Sequence, residues 1–181
     1  MYQGPRTSKG NMHHFQVALF VSFLFVAGSA GCSGDKTRKL PSAAKSILEK
    51  ADEMELMSID PGNRELDEPH PKGDYYGWKV IGKTVIDDLN TQKSILSALE
   101  KGVEEFGSGT PPACFDPRHA IHATRNGKTV DLLICFECQQ ILVYLDGQRQ
   151  DPYVFTSSSP ESVLDKVLSE ANVPLAPKPK R

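Results

Sequence analysis

The chain has no apolar run of the about 20 residues that a membrane-spanning helix needs, which excludes a polytopic membrane protein. It has no excess of charge either: 21 Lys+Arg stand against 23 Asp+Glu in 181 residues, a net charge of -2. That balance excludes a basic nucleic-acid binder and an acidic disordered chain. Aromatics are sparse at 8%, with a single Trp, and there are only four cysteines. No phosphate loop, dinucleotide fingerprint, Gly-x-Ser-x-Gly elbow or His-Glu-x-x-His pair occurs, so no motif of this kind names a reaction.

What is present begins at the N-terminus. Arg6 and Lys9 precede an uncharged stretch whose apolar heart is Val17 to Ala27, followed by Gly28-Ser29-Ala30-Gly31 and Cys32. A positive start, an apolar centre of about ten residues and a small-residue exit are the three parts of a secretory signal. Lys36, Arg38 and Lys39 follow, so flanking charge does not orient an uncleaved anchor cleanly. Ser-Ala-Gly-Cys at 29–32 resembles the bacterial lipobox, in which cleavage falls before a cysteine that takes a thioether-linked lipid; Ser29 stands where that pattern prefers Leu. The resemblance implies lipidation at Cys32, attachment to the membrane through that lipid, and a place in the bacterial cell envelope, on the periplasmic face or the cell surface. Ordinary cleavage after Ala30 is the competing reading and leaves Cys32 an unmodified thiol.

Cleavage before Cys32 removes Arg6 and Lys9 and no acid, leaving 19 basic against 23 acidic residues, a net charge of -4. Residues 32–41 are small and polar enough for a tether. The remaining chain is long enough to bury a core without disulfide staples.

Residues 42–175 read as one domain. Ala44, Ile47, Leu48 and Ala51 recur at helical spacing after Pro41. Glu53 to Ile59 alternates like a strand and stops at Asp60-Pro61-Gly62, ahead of a loop over 61–74. Tyr75 to Ile86 is a second strand with Gly77 and Gly82 as bend positions; its Tyr75, Tyr76 and Trp78 read as packing residues. From Asp88 to Phe106 the residues Ile95, Leu96, Leu99, Val103 and Phe106 share a helical face, with Asp87-Asp88 as the cap. His119 to Arg125 is a strand turned by Asn126-Gly127, the strongest short hairpin signal.

The run Leu132 to Leu145 would span roughly 46 Å as one strand at 3.3 Å per residue, longer than strands usually are. It must turn at its polar interruption, Glu137-Cys138-Gln139-Gln140. A short strand at Tyr153 to Thr156 follows. A closing helix begins at Ser159 as N-cap with Pro160 in the first turn, and 176–181 is a basic, proline-rich tail. The predicted fold is α+β, with a mainly antiparallel sheet in the order β-β-α-β-β-β-α after a short N-terminal helix, and helices packed on one face.

Unusual chemistry concentrates in Cys114-Phe-Asp-Pro-Arg-His119 and Cys135-Phe-Glu-Cys138. Residues three apart on a regular strand face opposite ways, so Cys135 and Cys138 converge only if the chain turns between them. Three readings stay open. Cys114, His119, Cys135 and Cys138 have the ligand types and spacing of a Cys3His zinc site. An oxidising compartment instead favours a disulfide among Cys135, Cys138 and Cys114, with one thiol left over. Buried thiols acting as small hydrophobes are the third. A redox reading of Cys135-x-x-Cys138 lacks the following helix that lowers a thiol pKa, although Arg118 or His119 could supply the charge. No His follows Cys138, which excludes a c-type haem site. His122, three residues from His119, should face the other way and reads as a polar group at a sheet edge.

Glu-Leu-Met-Ser-Ile-Asp-Pro at 55–61, Gly-Trp-Lys-Val-Ile-Gly-Lys-Thr at 77–84, Cys-Phe-Asp-Pro-Arg-His at 114–119 and Cys-Phe-Glu-Cys at 135–138 together resemble an uncharacterised family of exported bacterial proteins. The resemblance covers most of 53–175 and implies the domain boundaries but no activity, substrate or cofactor. The expectation is a lipid-anchored envelope protein that binds or scaffolds through its sheet, with structural cysteines and a protein partner. Its rival is a zinc- or thiol-dependent protein working through the cysteine cluster.

Overall fold

The computed structural model describes residues 39–64, 74–107 and 110–177. The signal, Cys32 and most of the tether lie outside these residues, as do 65–73 of the expected loop and 178–181. Three helices and seven strands follow in the order α1 (Ser42–Leu48), β1 (Glu53–Arg64), β2 (Asp74–Tyr75), β3 (Trp78–Val85), α2 (Leu89–Glu105), β4 (His119–Arg125), β5 (Lys128–Cys135), β6 (Gln140–Leu145), β7 (Gln148–Phe155) and α3 (Glu161–Glu170). The strands form one sheet, β2-β3-β1-β4-β5-β6-β7, and every neighbouring pair is antiparallel. The protein is therefore an α+β fold with a mainly antiparallel sheet.

Three tight turns set the registers. Tyr76-Gly77, Asn126-Gly127 and Asp146-Gly147 all have positive φ at both positions, as two-residue hairpin turns of this hand require. β5 and β6 are joined by the turn expected from the length of the apolar run, over 136–139 with Gln139 at φ +53°. Two elements exceed their sequence-based limits. β1 continues through Asp60-Pro61-Gly62 because bulges let it keep pairing with β3 as far as Arg64. β7 begins at Gln148 and makes the meander four-stranded; its Pro152 is tolerated at a sheet edge.

Strand alternation splits the sheet into two faces. Met54, Leu56, Ile121, Ala123, Val130, Leu132, Ile134, Ile141 and Val143 face the helices, where they meet Ala44 and Leu48 of α1, Ile95 and Leu99 of α2 and Leu164 and Leu168 of α3. Burying each such large side chain contributes about 1.5–3 kcal/mol. The other face has a smaller core of Met57, Ile59, Trp78, Ala120, Leu133 and Leu142, with the partly buried Tyr75, Tyr76, Phe115, Tyr144 and Tyr153 packed against it.

Asp88 caps α2 as expected: its Oδ2 accepts from the Thr91 N–H at 2.7 Å and from the Thr91 hydroxyl at 2.8 Å. These bonds hold its carboxyl below the usual range. α3 starts later than expected. It begins at Glu161 behind Pro160 without a side-chain cap, because the Ser159 hydroxyl pairs with that of Ser157, which also donates to Glu105 at the end of α2.

Gly102 permits this junction of α2 with the approach to α3. A Cβ there would lie 2.5 Å from Pro160 Cγ and 2.6 Å from Thr156 Oγ1, and the Gly102 carbonyl accepts from Ser157 N–H at 2.7 Å. With approaches this close, overpacking in Gly102→Ala should cost about 3 kcal/mol, the upper end of the usual range, and after a helix-propensity gain of about 1 kcal/mol should leave the protein about 2 kcal/mol less stable. Urea unfolding reads this directly; an unchanged or higher midpoint would show that α2 and Pro160 separate freely.

Candidate functional site

The cysteines meet where β5 leaves the sheet. Cys135 is the last residue of β5 and pairs with Gln140 of β6, so the turn between them brings Cys138 back over Cys135. The two form a disulfide with both residues buried, and the Cys138 backbone N–H donates to Cys135 Sγ at 3.0 Å. Cys114 arrives on the segment before β4, which Gln140 Nε2 ties down through the Pro112 carbonyl at 2.8 Å. Its sulfur lies 3.3 Å from Cys138 Sγ. Cys114 is exposed and unbridged. The Asp116 N–H also points at Cys138 Sγ, at 3.4 Å.

Cys114, Asp116 and Cys138 place their ligand atoms within 4.8 Å of one another. That is a possible metal-binding group, but a cysteine ligates zinc only as a thiolate, and Cys138 becomes one only when its bridge to Cys135 is broken.

His119 has a different setting. It opens β4 opposite Ile134 and Ser58, is buried, and places Nε2 2.8 Å from Asp165 Oδ1 of α3. The edge of its ring rests near Phe136, centroid to centroid 5.4 Å. Its pair Ile134 faces the helices, so along β5 Cys135 points the other way. Arg118, also buried, pairs with Glu137 in the cysteine turn. Burial, then the charge of Asp165, raises the carboxyl pKa of Glu161, one turn before Asp165 on α3. No spacing in the sequence announced Asp165 or Glu161, because they reach this corner from α3, where Asp165 stands 46 residues after His119.

The second cluster lies on the far face. Asp131 is buried in β5 and accepts from Tyr75 Oη at 2.5 Å, Tyr76 Oη at 2.6 Å and His122 Nδ1 at 2.5 Å. A carboxylate only accepts, so His122 carries its proton on Nδ1, and its Nε2 faces the Thr124 hydroxyl at 3.3 Å. Tyr76 also stacks on Tyr144, ring centroids 3.9 Å apart, which offsets the cost of its left-handed backbone at φ +53°. Here the expectation that His122 sits at a sheet edge gives way: β4 and β5 are central strands, and His122 is the direct cross-strand partner of Asp131. A signal for it existed. Counting outward from Asn126-Gly127 pairs 122 with 131, and an acid inside an otherwise apolar strand requires partners.

A groove of about 710 Å³ between the end of β3, the start of α2 and α3 carries neither cysteine nor histidine on its walls. No helix among the described residues is long and apolar enough to cross a membrane. Compared with family models, curated proteins and solved structures, the chain matches none.

Two outcomes follow from the Asp131 cluster. Asp131→Ala strands three donors around a buried position and should cost about 3–5 kcal/mol; a loss under about 1 kcal/mol in chemical denaturation would mean that water replaces the carboxylate without penalty. Burial first, and Asp131 next, push both phenols well above the ordinary value of 10.0. A raised folded value favours the protonated phenol, so this stabilisation is complete below pH 10 and is lost as pH climbs beyond it. In an alkaline titration followed by phenolate absorbance, Tyr75 and Tyr76 should ionise only as the fold opens, and Tyr75→Phe with Tyr76→Phe should remove that delayed portion. Normal ionisation of every tyrosine in the folded protein would refute the arrangement.

Proposed function

We propose that the protein is an exported, lipid-anchored envelope module. Cys32 carries the lipid, 32–41 forms the tether, and the α+β domain binds a protein partner without catalysing a reaction. The observation that carries this reading is the buried Cys135–Cys138 disulfide. Such bridges persist in oxidising compartments, which agrees with the secretory pattern of the first 31 residues. The bridge locks the β5–β6 turn. Zinc is the weaker reading, since the bond that defines the turn occupies two of its proposed ligands and His119 is engaged with Asp165.

Partner binding is assigned to the sheet face that the helices leave free. Tyr153 and Arg149, whose guanidinium carbon stands 5.0 Å from the Tyr153 ring centroid, are of the residue types enriched where proteins dock.

The test is an intact mass, taken without reductant, of the full chain exported through its own signal. The expected species starts at Cys32, carries a lipid mass, lacks two hydrogens and holds no metal; Cys32→Ser should abolish the lipid mass and release the protein from the membrane fraction. An unlipidated chain in the soluble fraction would overturn the anchor. A stoichiometric metal adduct lost in Cys138→Ser would overturn the structural role of the cysteines.

A further inference from the structure

We propose that Cys114, Cys135 and Cys138 form a thiol–disulfide exchange site in which the bridge has two positions, Cys135–Cys138 and Cys114–Cys138. The inference stands on the geometry of the three sulfurs, independent of the lipid anchor and of any partner. Three observations carry it. The exposed Cys114 thiol is 3.3 Å from one sulfur of an existing disulfide, that of Cys138. Both bridged cysteines are buried, only 1% exposed each, so the side chain already in contact with the bridge is its available attacker. The sulfur that attack at Cys138 expels, Cys135 Sγ, already accepts the Cys138 backbone N–H at 3.0 Å, a donor placed to stabilise a departing thiolate.

The step balances within the chain. Cys114 loses its proton to solvent and its thiolate attacks Cys138 Sγ. The Cys114–Cys138 bond forms as the Cys135–Cys138 bond breaks, and Cys135 leaves as a thiolate that takes a proton back. One disulfide and one thiol are present before and after, so no oxidant or reductant is consumed. The two states differ in what they expose and what they tie together. In the first, a reactive thiol is at the surface and the β5–β6 turn is closed on itself. In the second, the surface thiol is gone and the segment before β4 is bonded to that turn. The ligand class to which this site answers is a thiol: a small thiol, or a cysteine of another chain, attacks Cys114 Sγ in the second state, forming a mixed disulfide with Cys114 and releasing Cys138 as a thiolate. Cys138 attacks back and expels that thiol, and Cys135 then attacks Cys138 Sγ, restoring Cys135–Cys138 with Cys114 again a thiol, one disulfide being present throughout.

Trypsin separates the two positions. Cys114 falls in the peptide 102–118, while Cys135 and Cys138 share the peptide 129–149. The mature oxidised protein is quenched in acid, its thiols are blocked with N-ethylmaleimide in denaturant, and it is digested without reductant. The expected result is a main species with the bridge inside 129–149 and a label on Cys114. A second species should join 102–118 to 129–149 through Cys138, with the label on Cys135. In Cys135→Ser both remaining thiols of this group should disappear into a Cys114–Cys138 bridge, and Cys114→Ser should abolish the cross-linked pair. Scrambling in denaturant would also yield Cys114–Cys135, so a native sample free of that pairing identifies the folded site as the source. Two free thiols in folded, oxidised Cys135→Ser would overturn the proposal. Should that variant fail to fold, wild-type protein decides: no cross-linked peptide after prolonged incubation with a small thiol overturns the proposal equally.

Discussion

Asn126 and Gly127 both adopt left-handed backbone, at φ +49° and +74°, and this turn fixes how β4 lies on β5. From it the pairing runs outward through Arg125 with Lys128, His122 with Asp131 and His119 with Ile134. Because side chains alternate with period two, a slip of one residue would exchange the faces of one strand relative to the other. Val130, Leu132 and Ile134 would leave the helix-facing core, and Asp131 would enter it without His122. The position at which β5 ends, and therefore where Cys135 meets its turn, depends on the same register.

The two faces are stabilised by different physics. Toward the helices the sheet offers aliphatic side chains, and α1, α2 and α3 complete a continuous apolar core. The opposite face mixes a small apolar core with one buried acid, which is stable there because three donors converge on it. In sheet order β1 and β4 lie between β3 and β5, so Tyr75 and Tyr76 reach Asp131 across the face. The acid thereby fastens the β2–β3 hairpin to the centre of the sheet, a task that apolar contact would perform with less directional specificity.

The Cys135–Cys138 bridge closes so short a loop that its effect on chain entropy is only about 2 kcal/mol. Global stability rests on the core, and the bridge acts locally on the β5–β6 turn. Its neighbourhood is chemically dense: a third sulfur, the Arg118–Glu137 pair, and His119 held by Asp165 lie on residues that flank or oppose that turn.

Much of this was legible in the chain. Leu132 to Leu145 was too long for one strand, and the spacing of Cys135 and Cys138 demanded the same break; the structure has it at 136–139. Helical periodicity located α2 and its Asp88 cap, and Asn-Gly located a hairpin. Local signals failed where neighbours decided. Asp60-Pro61-Gly62 reads as a stop, yet β3 keeps β1 extended beyond it; Ser159 reads as a cap, yet Ser157 engages its hydroxyl. His119 could be placed on a strand, but its meeting with Asp165 depends on how α3 docks. Periodicity and turn preference act within a few residues and belong to the sequence by itself, so most of the elements, the Asn126-Gly127 turn and the register of β4 on β5 were determined there; the hairpin at Tyr76-Gly77, inside a segment that reads as one strand, was not. The approach of Cys114 to Cys138, the convergence of two tyrosines and a histidine on Asp131, and the contact of Gly102 with Pro160 were decided by tertiary structure alone, because each joins segments that only the closure of the whole core brings together.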